Sequence, residues 1–509
     1  MLDDLADALA HILPQILAAT GAPGVGVALA TPTEFRSLAA GYADLAALTP
    51  MTADSSGPAG SLSKPLLGIA LMQLAEAGCI DVDAPINDFL PSGLRPPDPE
   101  PISAAMLASH QGGYRTDFID ATLTHPGPFA DHFARRLAIG ATPEYGGVSP
   151  LRGTPGTYAY SSLGMSLIGC AVEHLSGTRY DEYVDRHILR PLGMTDSALP
   201  AGNSAPGRWD ELRAGANRAV GYMGFGPWCV PTPELHSATY PAAGLVTSPA
   251  DYARLLQSLL RSAKGDGILS PTSLAQMLQP RISRSSPVTP DTWAGIALEL
   301  GSPQRLGERY WWGHSAAYPW GSWWDARVYP HRDLIVVAMT NKWDMMQLHN
   351  PADRNAAGIV AGWAGRWAVE GIPPRLARAA QRSKLAAPQH TSIHQTTAQT
   401  PTREASAWMG ALAAERVYGT LGVTDRWDEA TTEAMARATR PADGSTPPGP
   451  DVAAFTTAVD QISALAPDPD SLRAHATRQG PAAALWALEC GNTTPEFPIP
   501  VEFLAVPHP

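Results

Sequence analysis

Gly60-Ser61-Leu62-Ser63-Lys64-Pro65-Leu66-Leu67 is the stretch on which the reading of this chain turns, because it sets a hydroxyl three positions before an amine at the start of a helix. Lys64 is one of only four lysines in 509 residues. Downstream, Leu66, Leu67, Ile69, Ala70, Met72, Leu74 and Ala75 form an apolar run without strand-like alternation, closed by Gly78, which predicts a buried central helix. Pro65 fits such a helix only in its first turn, where no intrahelical N–H is needed, so Ser61 falls at or just before the N-terminus. Residues three apart share a helix face, which makes Ser61 Oγ and Lys64 Nζ neighbours. Burial lowers a lysine pKa because desolvation disfavours the ammonium, and a neutral amine beside a hydroxyl is an activated nucleophile. The plain alternative is an N-cap serine followed by a surface lysine. Ser63 is the weaker nucleophile candidate, since adjacent helical residues do not face each other.

Outward from this stretch, composition narrows the function classes. A formal net charge of -12 argues against a nucleic-acid partner, because phosphate binding needs a basic surface. Cys79, Cys170, Cys229 and Cys490 are widely separated with no Cys-x-x-Cys pair, and read as small buried apolar residues. The N-terminus is acidic where a secretory signal would be basic, and no apolar run reaches 18 residues, so a cytoplasmic protein without a membrane partner is expected. Gly21, Gly24 and Gly26 precede a strand, the wrong order for a dinucleotide loop, and no cofactor is expected. His390 and His394 have no third ligand nearby, so no metal is expected either. The sequence is silent on oligomeric state.

Leu5, Leu9, Ile12, Leu13, Ile16 and Leu17 predict an N-terminal amphipathic helix, followed by a strand at Val25 to Leu29 and another near Phe35 to Tyr42. Ser322 to Tyr329 and Leu334 to Thr340 flank Pro330-His331-Arg332-Asp333 as a hairpin, and a helix near Arg354 to Val369 follows. Strands at both ends with helices between them predict an α+β domain, residues 1–372, whose antiparallel sheet is completed by distant segments. Residues 373–405 read as a polar linker, and 406–509 as a small C-terminal helical module with helices at Ser406 to Leu421, Asp451 to Leu465 and Ser471 to Leu488.

Two further segments give Ser61-x-x-Lys64 company: Pro155-Gly156-Thr157-Tyr158-Ala159-Tyr160-Ser161-Ser162-Leu163-Gly164 and Trp312-Gly313-His314-Ser315-Ala316-Ala317. Supporting pieces are Leu107-x-Ser109-His110-Gln111-Gly112-Gly113, Pro191-Leu192-Gly193-Met194-Thr195-Asp196, and Pro241 to Ser248 with Asp251. In this order the segments resemble the serine β-lactamase-like hydrolases: class C β-lactamases, D-alanyl-D-alanine carboxypeptidases, esterases and acyltransferases. The resemblance covers roughly residues 1 to 370. It implies an antiparallel sheet flanked by helices plus an all-helical subdomain, with the active site in the groove between them. It further implies Ser61 as nucleophile, Lys64 and Tyr160 sharing the proton work with the nearby ammonium favouring phenolate, and the N–H groups of Ser61 and Ala317 as oxyanion hole.

The departures narrow the substrate. His314-Ser315-Ala316 stands where class C β-lactamases have Lys-Thr-Gly, so a permanent cation gives way to a group mostly neutral at pH 7. Ser162 replaces the usual Asn and lacks an amide to hold an acylamino side chain. Ser162, His314, Ser315 and Trp320 are the candidate substrate-binding residues. Trp311, Trp312, Tyr318, Trp320, Trp323 and Trp324 either fill alternate faces of a sheet or form an apolar acyl pocket. Asp81 and Asp83 resemble the family's structural turn and receive no catalytic role. The expectation is a serine hydrolase or acyltransferase forming an acyl-enzyme on Ser61 from a small-molecule or peptide ester or amide with an apolar acyl group. The alternatives are a biosynthetic transacylase or peptide-cyclising thioesterase of the same fold, and a catalytically silent binding protein on it.

Overall fold

The computed structural model describes residues 2–96, 101–114, 122–123, 127–131, 133, 154–201, 208–215, 217–225, 228–232, 234, 236–284, 291–301, 310–318, 321–344 and 355–370. The expected linker and C-terminal helical module lie outside these residues, as do His390, His394 and Cys490.

A nine-stranded antiparallel sheet organises the domain, in the order Ile282–Ser283, Thr292–Ala294, Glu299–Gly301, Trp311–Tyr318, Ser322–Tyr329, Leu334–Thr340, Gly24–Ala30, Phe35–Asp44, Thr49–Pro50. Its closure is long-range. Gly24–Ala30 pairs with Phe35–Asp44 on one side and, with Val25 opposite Thr340, with Leu334–Thr340 on the other. Both central strands are buried along their whole length. Period-2 alternation sends Val25, Val27, Leu29, Leu334, Val336 and Ala338 to one core, and Ala28, Ala30, Ile335, Val337 and Met339 to the other.

Helices cover both faces. Leu2–Thr20, with Leu5, Leu9, Leu13 and Leu17 buried, and Ala356–Glu370 close the first core. On the second face Pro249–Ser262 lies against the central strands, next to a group of helices that includes Lys64–Glu76, Ala104–Ala108, Ser162–Ser176 and Tyr180–Val184. The helix Lys64–Glu76 is buried all round from Lys64 to Met72, with Leu66, Leu67, Ile69, Ala70 and Leu71 fully enclosed, as expected for a helix inside a large domain.

The hairpin strands Ser322–Tyr329 and Leu334–Thr340 have the expected ends, while the second strand runs on to Asp44 and the last helix is Ala356–Glu370. The tryptophans follow the alternation of their strands, with Trp312 and Trp324 in the second core and Trp323 in the first. Trp311 packs against the first core and holds the Arg327 guanidinium over its ring at 4.5 Å. One expectation is corrected. Cys170 is buried, but Cys79 is exposed, because it follows Gly78 in the turn that ends the helix. No described helix is long and apolar enough to cross a membrane.

Asp251 joins two segments that are distant in the sequence. Fully buried near the start of helix Pro249–Ser262, it accepts from Asp196 N at 2.7 Å and Ser197 Oγ at 2.8 Å, tying down the Pro191 to Asp196 turn. Arg254 completes the pairing. Asp251→Ala leaves the Asp196 N–H without its acceptor and Ser197 Oγ with only Thr247 Oγ1 at 2.7 Å, so a loss of about 1–3 kcal/mol is expected in urea unfolding. An unchanged midpoint would show that the tie contributes nothing.

Candidate active site

The nucleophile turn is built from two pieces of backbone. Gly57–Gly60 pairs antiparallel with Leu245–Thr247, and the chain then reverses at Gly60, φ 47° and ψ -121°, into a single 3-10 turn Ser61–Ser63 that runs on as helix Lys64–Glu76. Pro65 occupies the first helical turn, as its missing N–H requires. Only glycine adopts the Gly60 backbone without strain, and a Cβ there would lie 3.3 Å from the Tyr318 ring and 3.6 Å from Ala317 O. Gly60 therefore lets Ser61 come up against the strand Trp311–Tyr318.

The two serines of the turn divide cleanly. Ser63, with no exposed surface, donates to Gly60 O at 2.6 Å and accepts from Leu245 N at 2.8 Å, so it stitches the turn to the neighbouring strand. Ser61 retains a little exposure, and its Oγ lies 2.6 Å from Tyr160 Oη and 2.9 Å from Lys64 Nζ.

Lys64 Nζ also reaches Ser162 Oγ at 3.1 Å and Ala242 O at 3.0 Å. Three oxygens match the three donors of an ammonium. A neutral amine satisfies the same set by donating to Ala242 O and Ser162 Oγ and accepting from Ser61 Oγ–H. Burial pulls the Lys64 pKa down to about 7, with the Glu299 charge opposing. Tyr160 moves the other way. Desolvation pushes its ionisation above the usual phenol range, against a lowering by the Ser61 hydrogen bond. The expected phenolate is therefore disfavoured, because taking the hydroxyl out of water outweighs the Ser61 hydrogen bond and the Arg284 charge.

The loop carrying Tyr160 is held by the Leu107 to Gly113 segment. His110, at φ 62°, accepts from Ala159 N through its carbonyl at 2.8 Å and from Ser161 N through Nδ1 at 3.1 Å, and its ring packs 4.3 Å from that of Tyr160. Gly156 N donates to Gln111 O. Ser161 then caps helix Ser162–Ser176 by accepting from Gly164 N, which puts Ser162 at the first position of the helix, facing Lys64.

On the strand Trp311–Tyr318, His314 is 3% exposed and its Nδ1 donates to Ser315 O at 2.6 Å, since a carbonyl can only accept. Nε2 then keeps its lone pair in the neutral ring. Burial pulls the His314 pKa down to about 4, so the imidazole is neutral at pH 7. Ser315 N and Oγ donate to Glu299 Oε2 at 3.3 and 3.2 Å, and Glu299 forms an ion pair with Arg284. Glu299 and Arg284 were not singled out from the sequence, and His110 was quoted there only as part of its motif. An acid inside the apolar run Ile296-Ala297-Leu298-Glu299-Leu300 is the one signal that points to such a residue. Trp320 lies outside the described residues. Beside Tyr318, a cavity of about 230 Å³ is lined by Pro58, Leu245, Arg218, Glu234, His236 and Tyr318 among others.

This arrangement, a helix-start serine sharing its hydroxyl with a buried lysine and a tyrosine beneath an antiparallel sheet, defines a β-lactamase-type fold and site. The chain belongs to the beta-lactamase family, whose model matches residues 9–361. It is 26% identical over 354 residues to penicillin-binding protein 4 of Amycolatopsis lactamdurans, covering 67% of this chain and 86% of that one. It is 25% identical over 276 residues to the lovastatin esterase of Penicillium rubens, covering 48% and 62%. Among solved structures, the octameric penicillin-binding protein homologue from Pyrococcus abyssi shares the fold with a TM-score of 0.55 at 21% identity, over 81% of this chain and 82% of that one.

His110→Leu removes the acceptor of the buried Ser161 N–H and frees the Tyr160 loop. A stability loss of about 1–3 kcal/mol is expected in chemical denaturation, partly recovered by His110→Gln, whose side-chain oxygen can accept. Equal stability of all three proteins would contradict the clamp.

Proposed function

We propose that the protein is a serine acyl-transfer enzyme that opens esters or amides through an acyl-enzyme on Ser61. The observation that carries this reading is the Ser61 Oγ contact with a lysine amine whose pKa is about 7, an amine half neutral at physiological pH. In the attack, Ser61 Oγ bonds to the substrate carbonyl carbon while its proton passes to Lys64 Nζ. Tyr160, a phenol at rest, donates to the leaving group as the tetrahedral intermediate collapses; in deacylation it recovers a proton from the incoming acceptor, and Lys64 returns its proton to Ser61 Oγ as the acyl group departs. Ser162 and Ala242 O hold the amine in place in both charge states.

Strand geometry supports Ser61 N and Ala317 N as the oxyanion donors. Ser315 N points to the edge where Glu299 lies, and alternate N–H groups of a strand point the same way, so Ala317 N faces that edge too. The strand Glu299–Gly301 ends opposite Gly313, and no described strand pairs with Ala317 on that side. The neutral His314 supports a substrate without a carboxylate at that point. Trp311, Trp312, Trp323 and Trp324 pack into or against the two cores, which argues against their forming an acyl pocket. The penicillin-binding protein and the esterase among the relatives are consistent with amide and ester substrates respectively.

Incubation with a panel of activated esters and amides, read by intact mass, tests the reading. One acyl adduct should form and vanish in Ser61→Ala, and labelling that persists there or maps to Ser63 would overturn it. The amine must be neutral to take the proton, so the acylation rate should rise with pH through a midpoint near 7 and level off above it. Lys64→Met should be slower by about 10²–10⁴. A flat profile from pH 5 to 9 would remove Lys64 from the role of base.

A further inference from the structure

Glu299 is the one carboxylate bonded directly into the wall of the site among the described residues, and the reaction scheme above leaves it without a task. Its position is unusual for an acid: 7% exposed, at the end of a three-residue strand, with Gly313 as its partner across the ladder. Three kinds of donor converge on it. Arg284 supplies a guanidinium, and Ser315 supplies a backbone N–H at 3.3 Å and a hydroxyl at 3.2 Å; His314 Nδ1, which donates to Ser315 O, lies 3.8 Å away without bonding to it. Burial alone would raise the Glu299 carboxyl, but the Arg284 charge and these hydrogen bonds override it and hold its pKa at about 2. A cation, an amide N–H and a hydroxyl around one point make an anion site, of the sort that recognises carboxylates.

We propose that Glu299 is a built-in counter-anion that fills a carboxylate-binding site made by Arg284 and Ser315, and thereby restricts the enzyme to substrates that carry no carboxylate there. This deepens the function proposed above and rests on it for the kinetic part only. Charge counting gives the reason. With His314 neutral and Lys64 half neutral, Arg284 and Glu299 cancel, and a substrate carboxylate entering beside Ser315 would meet an existing carboxylate and find its donors already bonded. With Glu299 removed, Arg284 leaves a net positive charge next to unpaired donors, in a place where water is largely excluded and the attraction for an anion is strong.

Binding is tested first, by thermal shift with benzoate as probe, which requires no acylation. Wild type should show no benzoate-dependent stabilisation. Glu299→Ala should be stabilised with saturation, and Glu299→Ala combined with Arg284→Ala should lose the effect. In the kinetic arm, an activated ester bearing a carboxylate on its leaving group is compared with its uncharged methyl-ester counterpart. The ratio of their acylation rates should rise at least about tenfold in Glu299→Ala, the worth of one charge-assisted contact. Should Glu299→Ala not fold, Glu299→Gln keeps the shape, removes the charge and is expected to shift both readouts in the same direction. A folded Glu299 variant with neither benzoate stabilisation nor a changed ratio would reduce Glu299 to a structural brace and overturn the proposal. Benzoate stabilisation without acylation of any ester would uphold the anion site while the function reading fails.

Discussion

A lysine amine with no exposed surface is the constraint on which the rest of this structure depends. Taking an ammonium out of water costs several kcal/mol, and the protein answers by letting Lys64 titrate near neutrality and by offering it three oxygens from three elements. Ser61 comes from its own turn, Ser162 from the first position of the next long helix, and Ala242 from a short helical turn far along the chain. Such a meeting point exists only if these segments are rigid. The apolar helix Lys64–Glu76, enclosed on every side as far as Met72, and the two cores of the sheet supply the rigidity.

The strand Trp311–Tyr318 is the second determinant, because it ends one side of the site and carries its electrostatics. Its neighbour Glu299–Gly301 is only three residues long, so pairing stops at Gly313 and the strand edge beyond it turns toward the nucleophile. Gly60 is the matching adjustment on the other side, a left-handed kink that allows Ser61 to approach this edge. Neutral His314, paired Arg284 and Glu299, and a half-neutral Lys64 leave the groove nearly without net charge. That balance distinguishes it from a site built around a permanent cation on this strand.

Local pattern made much of this legible. The apolar run after Lys64, the position of Pro65 and the hairpin around Pro330 to Asp333 depend on neighbours in sequence, so helix, turn and strands could be read directly. The ordered motifs led to Ser61, Lys64 and Tyr160, which do converge. The tryptophan cluster was ambiguous for a physical reason: period-2 alternation tells which residues share a face, but not what lies opposite that face. Glu299 and Arg284 were missed, and His110 was quoted in its motif without a role, because their roles come from contacts across 16, 15 and 51 residues of chain, to Ser315, Glu299 and Ser161. The short strands Ile282–Ser283, Thr292–Ala294 and Glu299–Gly301 were missed because two or three residues carry no period.

The sequence by itself determined the α+β class and the helix that starts beside Ser61 and Lys64, since both follow from residue type and local spacing, while Tyr160 was reached through the resemblance of its motif. Tertiary structure alone decided the protonation of these side chains. Whether Lys64 is an ammonium or an amine, and Tyr160 a phenol or a phenolate, depends on how much water and which charges surround them, and those are supplied by segments up to about 240 residues away. Exclusion of solvent is a property of the folded volume, and no local stretch of chain encodes it.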